Sequence, residues 1–247
     1  MRILALDSSG LVAGAALVEG EGDVRTDRVV AEYTVNYKKT HSQTLLPMVD
    51  EIIRMTETDL DSIDAIAVAA GPGSFTGLRI GSATAKGFGL ALARPLIHIP
   101  TLEGLAYNLY GYEGIICPIM DARRRQVYTG VYRFEKGRLK VLEDQTAVGI
   151  EGLAETLKAY EEKITFLGDG VPVFGEDLEH TLLRGRQIAF APAHMNRQRA
   201  ASVGVLGIQY YLDGKTETAE EHRPDYLRMS QAERERKERM KNDPVSM

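Results

Sequence analysis

The sequence predicts an α/β fold of two βββαβα lobes, each a mixed sheet flanked by helices. Three observations carry this. Short apolar runs of strand length alternate with longer helical stretches in the order strand, strand, strand, helix, strand, helix, and that order occurs twice. The first strand of each pass ends in an acid, Asp7 in one and Asp121 in the other. At the centre of the first pass a glycine-rich turn, residues 71–81, joins an apolar run to a long helix.

In the first pass, residues 2–7 form a strand that Ser8-Ser9-Gly10 turns. Residues 11–19 return as a second strand, with Gly14-Ala15-Ala16 small enough for close packing, and residues 28–35 alternate as a third. Residues 40–58 are the first long helix, with Thr40 as its N-cap. Residues 65–69 make a strand of buried length, and no strong breaker follows Thr76 until Pro95, so a helix runs between them. Residues 95–99 are a fifth strand, and Thr101 caps a helix through Tyr110.

The pattern then begins again. Strands are expected at 115–121, 126–134 and 139–148, a helix at 151–160, and a strand at 164–167 that ends in a second glycine turn, Gly168-Asp169-Gly170. Helical stretches follow at 172–183 and 196–212. Two such lobes with acids at matching strand ends describe the duplicated actin/Hsp70/sugar-kinase-like (ASKHA) architecture, although no residue-level repeat is visible. The expected units are a first lobe at 1–100, a second at 101–223, and a charged tail at 224–247.

Composition bounds the function. The chain has 247 residues, 44% hydrophobic and 26% charged, which suits a globular protein with two real cores. A net charge of −5 argues against a protein that grips nucleic acid alone through a broad basic surface. One cysteine, Cys117, excludes an internal disulfide framework, fits a reducing cytosol, and sits in an apolar run as a packed core thiol. No apolar run approaches the roughly 20 residues of a membrane span, and the chain enters a strand directly, so neither membrane segment nor leader is expected.

The glycine turn matches neither of two well-known loops. A Walker loop would need lysine after Gly77, and a nucleophile elbow would need glycines where Pro72 and Thr76 stand around Ser74. An anion-binding turn and a tight strand–helix connection both remain open. The helix after it carries more information. Gly77, Gly81, Ala85, Gly89 and Ala93 repeat every fourth residue and form a smooth ridge. Three glycines inside a helix cost about 1 kcal/mol each relative to alanine. A second helix packed unusually close along the ridge, with Leu78 beside it, is the expected compensation. In the 40–58 helix, Leu45, Leu46, Met48, Val49, Ile52, Ile53 and Met55 spread over roughly half the circumference, more than one core-facing stripe needs. Two buried sides, one of them an adaptable partner surface around Met48 and Met55, stand beside plain core packing.

Asp7 with Ser8, Ser9 and Gly10, and Asp121 with Gly168, Asp169 and Gly170, are candidate phosphate or nucleotide contacts across an inter-lobe cleft. An Asx-type turn is the other reading of Asp7-Ser8-Ser9. His41 heads the first long helix, but Thr44 and Leu45 stand where a second metal ligand would be, so no metal site is expected there. Arg123-Arg124-Arg125 reads as a solvated hairpin tip rather than a phosphate contact. Residues 231–241 are charge-dense and read as a solvated helix or a docking arm.

Several of these stretches together resemble the bacterial TsaB (YeaZ) family. They are Ile3-Leu4-Ala5-Leu6-Asp7-Ser8-Ser9, His41-Ser42-Gln43, the whole of 71–81, Met120-Asp121-Ala122-Arg123-Arg124, and 224–233 from Pro224-Asp225-Tyr226 onward. They span nearly the whole chain, and the 71–81 motif is the specific one. The resemblance implies a non-catalytic subunit of the cytoplasmic machinery that places threonylcarbamoyl on the adenosine beside the anticodon of tRNAs reading codons that begin with A. A TsaD-like subunit would perform the transfer and a TsaE-like subunit would hydrolyse ATP. A separate synthase would make threonylcarbamoyl-AMP, and tRNA would be met only through the complex. Leu45 stands where the TsaD pattern has its second metal-binding histidine, in keeping with no catalytic and no metal residues here.

The family pairs with TsaD through two first-lobe helices, which assigns Leu45, Met48, Val49, Ile52, Met55, Gly77, Leu78, Gly81, Ala85 and Gly89 to the partner interface. On that assignment Gly81→Leu, or a charge at Met48, breaks pairing and spares the fold. The chain is expected to carry no cofactor of its own, leaving the partner interface or the cleft as places for ATP or ADP, and to form a homodimer when alone. The rival is an ATP-binding small-molecule kinase or ATPase with Asp7 and Asp121 around magnesium; a peptidase role finds no defensible triad or metal pair.

Overall fold

The computed structural model describes residues 1–37 and 40–228. The helix or docking arm expected at 231–241, and residues 229–233 of the tail motif, lie outside the described residues. The first sheet contains β1 (Arg2–Asp7), β2 (Ala13–Glu19), β3 (Arg28–Val35), β4 (Ala65–Gly71) and β5 (Leu96–Pro100). The second contains β6 (Ile115–Asp121), β7 (Gln126–Glu135), β8 (Arg138–Gly149), β9 (Ile164–Leu167) and β10 (Ile188–Phe190). The strand orders are β3-β2-β1-β4-β5 and β8-β7-β6-β9-β10, so the two sheets repeat one topology. In each, antiparallel hairpins precede parallel pairing, β1 with β4 and β6 with β9. The duplicated βββαβα architecture is the observed one.

Among the described residues, six α-helices complete the layers: α1 (His41–Thr56), α2 (Phe75–Leu92), α3 (Thr101–Ala106), α4 (Ile150–Leu157), α5 (Val171–Asp177) and α6 (Ala200–Leu212). Strand alternation decides what each layer covers. Leu4 and Leu6 of β1 face Leu45, Met48, Val49 and Ile52 of α1 and Ala85 of α2. Ile3 and Ala5 face the other way, toward Val203, Leu206 and Ile208 of α6. In the second sheet Ile115, Cys117 and Ile119 pack on α4 and α5, while Ile116 and Met120 face Leu102 and Leu105 of α3. Burial pushes the Cys117 thiol up to about 12, as a core sulfhydryl requires.

Here the expected domain boundary is corrected. Residues 101–223 are not one lobe, because α6 packs on the first sheet. Beyond it, Glu217 pairs with Leu96 on the open edge of β5, and Asp225 N–H donates to the Ala70 carbonyl at 2.7 Å. The chain thus returns to its first lobe. Residues 196–199, expected as the start of the last helix, are not helical: 196 and 197 form a bend and Arg199 is extended. Asn108 donates to the carbonyls of Met195 and Arg197, both at 2.7 Å, which ties that segment down.

The glycine ridge also departs from expectation. No second helix lies along it; it packs on the chain's own β1 turn and sheet. The Ser8-Ser9 turn rests on the start of α2, with Ser74 N–H donating to the Ser9 carbonyl at 2.7 Å and Ser8 Oγ to the Gly77 carbonyl at 2.9 Å. A Cβ at Gly77 would enter the Ser8 carbonyl oxygen, and one at Gly81 would lie 2.6 Å from Ser8 Oγ. A Cβ at Gly89 would enter the Leu96 side chain. The helix forms despite its glycines because the sheet approaches it this closely, and Ser74 caps it through Gly77 N–H.

Gly77→Ala is therefore expected to destabilise the isolated chain by about 2–3 kcal/mol in urea unfolding. A loss below about 0.5 kcal/mol would contradict the close docking of the Ser8-Ser9 turn.

Candidate partner surface and inter-lobe cleft

Two places bring predicted residues together. The first is the outer side of α1 and α2. Leu45, Met48, Val49, Ile52, Leu78 and Ala85 are all buried in the first-lobe core, and so are Gly77, Gly81 and Gly89. In this structure they face the chain's own core rather than solvent, so exposure gives no support to their assignment as interface residues. Of the predicted set, Met55 alone is well exposed, at 68%. Gly81→Leu would consequently act on the fold, since Val68 stands behind Ser8 at that position.

The helices nevertheless leave a different apolar face open. Leu46, Pro47, Ile53, Leu60 and Phe88 line a groove of about 470 Å³ between α1 and α2, with Val49 at its base and Asp50 on its rim. Leu46 is 56% exposed and Leu90, farther along α2, is 61% exposed. This face explains why the apolar arc of α1 is too wide for one stripe: the Leu45 side fills the core and the Leu46–Ile53 side borders solvent. Phe88 and Leu60 had no signal in the sequence, because each is a single apolar residue whose neighbours in the groove come from elsewhere in the chain.

The second place is the cleft. Arg197 and Gln198 are adjacent and reach opposite ways. Arg197 donates to the Gly168 carbonyl at 3.0 Å, and its charge faces Asp169. The Gln198 amide lies over Gly10, is buried, and neither its nitrogen nor its oxygen has a hydrogen-bond partner. The Ser8-Ser9-Gly10 turn and the Gly168–Gly170 turn thus flank residues 197 and 198, and Asp169 Oδ1 accepts from Asp121 N–H at 3.0 Å. Asp121 itself accepts from Arg123 N–H and pairs with the Arg123 guanidinium at 3.1 Å. Arg125 pairs with Glu151 and Asp177. The arginine turn is therefore tied to the second lobe's acids rather than bare.

At the first-lobe side, Asp7 takes the Asx-turn form. Its Oδ1 accepts from Ser9 N–H at 2.9 Å and from Ser9 Oγ at 2.6 Å, and the carboxyl is 2% exposed. Ser8 and Ser9 are buried with it, and Ser8 Oγ is spent on Gly77. His41 Nε2 bonds the Gly10 carbonyl at 2.9 Å, giving that ring a structural partner.

Burial raises Asp7 from 3.8 to about 6, against the lowering effect of the two Ser9 hydrogen bonds and the nearby His41. A raised acid binds its proton more tightly folded than unfolded. Its contribution is thus greatest below pH 3.8 and falls as pH rises toward 6, costing about 3 kcal/mol when complete. Asp7→Asn, which keeps an acceptor for Ser9, is expected to match wild-type stability near pH 4 and exceed it near pH 7.5. Equal stability of the two proteins at both pH values in urea titrations would contradict this.

The family model described as TsaD, tRNA N6-adenosine threonylcarbamoyltransferase, matches residues 28–236. The chain is 36% identical over 236 residues to the tRNA threonylcarbamoyladenosine biosynthesis protein TsaB of Bacillus subtilis, covering 94% of this chain and 96% of that one. It is 30% identical to TsaB of Escherichia coli, covering 92% and 95% respectively. The solved structure of YeaZ from Pseudomonas aeruginosa superimposes with a TM-score of 0.76 at 27% identity, over 92% of this chain and 99% of that one. The chain therefore belongs to the TsaB (YeaZ) family, and its role lies in tRNA threonylcarbamoyladenosine biosynthesis.

Proposed function

We propose that this chain is a non-catalytic scaffold subunit of a tRNA threonylcarbamoyltransferase, pairing with and activating a TsaD-like catalytic subunit in the cytoplasm. The observation that carries this is the open apolar groove between α1 and α2. Leu46, Pro47 and Leu60 border solvent there, while Leu45, Met48 and Ile52 of α1 and Leu78 and Ala85 of α2 are committed to the first-lobe core. A partner of similar architecture would present an equivalent helix pair, and two such pairs would close into a four-helix bundle around Leu46, Ile53 and Phe88. The TsaE-like ATPase and the tRNA would join the assembled pair, in keeping with the chain's net charge of −5. In the partner's absence the same face would take a second copy of this chain.

The cleft is assigned no chemistry of its own. Ser9 donates to Asp7 and Ser8 to Gly77, so the side chains of the turn that would hold a phosphate are already engaged within the lobe. This speaks against the alternative of an ATP-binding kinase or ATPase, and favours the subunit interface over the cleft for any ATP or ADP. Micromolar binding and turnover of ATP by the isolated chain would restore that alternative. Among the described residues, no helix is long and apolar enough to cross a membrane.

Leu46→Asp and Phe88→Asp are expected to weaken co-purification with the TsaD-like protein of the same cell by about tenfold or more. The melting temperature of Leu46→Asp should stay within about 2 °C of wild type, since Leu46 is exposed. Light scattering on the chain alone should report a dimer that Leu46→Asp splits. Undiminished pairing by both variants would place the interface elsewhere.

A further inference from the structure

Away from both places, three potential metal ligands gather where the returning C-terminal segment meets the first sheet. His98 projects from β5, and Glu217 and His222 come from the segment after α6. One ligand atom from each lies within 4.8 Å of the others. His98 Nδ1 stands 3.6 Å from Glu217 Oε1, and His222 Nδ1 stands 2.6 Å from the same oxygen. The two imidazole rings lie 5.6 Å apart at 60°. His222 is fully enclosed, with no hydrogen-bond partner at Nε2, while His98 and Glu217 are half-buried.

The protonation pattern completes the arrangement. Asp225 Oδ2 is 3.0 Å from His98 Nε2, a pairing that favours the tautomer with its proton on that nitrogen. In the neutral ring the lone pair at Nδ1 then faces a carboxylate oxygen, two acceptors turned toward one gap. A carboxylate that fixes the far nitrogen of a histidine is the usual outer partner of a metal-bound imidazole. Ligand atoms of a tetrahedral zinc site lie about 3.3 Å apart, as follows from metal–ligand lengths near 2.0–2.1 Å. The His98–Glu217 spacing is already close to this. The cation would replace the His222 Nδ1–H hydrogen bond to Glu217: the ring proton moves to Nε2, and the two atoms open by under an ångström, a movement available to a carboxylate that is not fully enclosed.

We propose that His98 Nδ1, His222 Nδ1 and Glu217 Oε1 bind a divalent cation of the zinc class, with Asp225 orienting His98. Two imidazoles and one carboxylate select zinc or its late first-row neighbours over magnesium or calcium, which prefer all-oxygen sets. The fourth position is left to water or to the second Glu217 oxygen. The consequence is structural. Glu217 pairs with the edge of β5, Asp225 N–H bonds Ala70, and the Tyr226 ring lies 4.7 Å from Phe75 at the start of α2. A cation here fastens the C-terminal segment to the first sheet beside the 71–81 turn.

The test uses the untagged full chain, stripped with chelator and titrated with zinc by calorimetry, with cobalt as a spectroscopic probe. The expected result is one zinc per chain at micromolar or tighter affinity, and visible d–d absorption from tetrahedral cobalt. Zinc should also slow proteolysis after α6. Glu217→Gln and His98→Ala, which alter partly exposed side chains, should each weaken binding about 100-fold, and Asp225→Asn about 10–100-fold. Substoichiometric uptake at 100-fold molar excess, octahedral cobalt spectra, or unchanged binding by His98→Ala would each overturn the site.

Discussion

The docking of the Ser8-Ser9 turn onto the start of α2 is the contact on which the rest of the first lobe depends. Two hydrogen bonds, Ser74 N–H to Ser9 and Ser8 Oγ to Gly77, join the end of β1 to the helix that follows β4. They require the helix to approach so closely that positions 77 and 81 have no room for a side chain. That approach settles how α2 lies across the sheet, hence which face of α1 is free beside it. The same turn buries Asp7 and closes the cleft side of the first lobe. One constraint thus consumes a turn that could have met phosphate and sets the outer helix pair as the surface with apolar groups to spare.

The return of the chain to its first lobe has a related effect. The last helix and the segment after it cover the inner face and free edge of the first sheet, which would otherwise expose unpaired strand groups at β5. The second sheet has α3 on its inner face instead. Each sheet is therefore covered on both faces, and the two lobes are joined by residues 196–199, which Asn108 holds, and by α3. A subunit built this way presents fixed surfaces to its partners, which suits a scaffold.

Much of this was legible in the residues. Strands such as Arg28–Val35, Ile115–Asp121 and Ile164–Leu167 were placed to the residue because alternation and turn chemistry agreed at both ends. The duplicated order followed from them. What escaped notice shares one physical cause: it depends on which distant element arrives. The repeat of small residues in α2 showed that something comes close, but periodicity cannot distinguish a sheet and its turn from a helix. The wide arc on α1 pointed to two uses of one helix, yet the side facing the core and the side facing out exchange under a rotation that the sequence does not fix. β10 has only three residues and no alternation to read. The first turn expected of α6 was lost to tertiary hydrogen bonds from Asn108, which override local helix preference. His98 and His222 meet across the fold, so no local ligand spacing announced them.

On the proposed function, the outer side of α1 and α2, and neither the buried glycine ridge nor the cleft, is the working surface. Hydrogen–deuterium exchange of the chain with and without its TsaD-like partner tests this most directly, because it reads the surface without altering a residue. The account predicts that the partner slows exchange across α1 and the second half of α2, around Leu46, Ile53 and Phe88, and leaves the Gly168–Gly170 turn unchanged. Protection confined to that turn, the Ser8-Ser9 turn or the second lobe would contradict it.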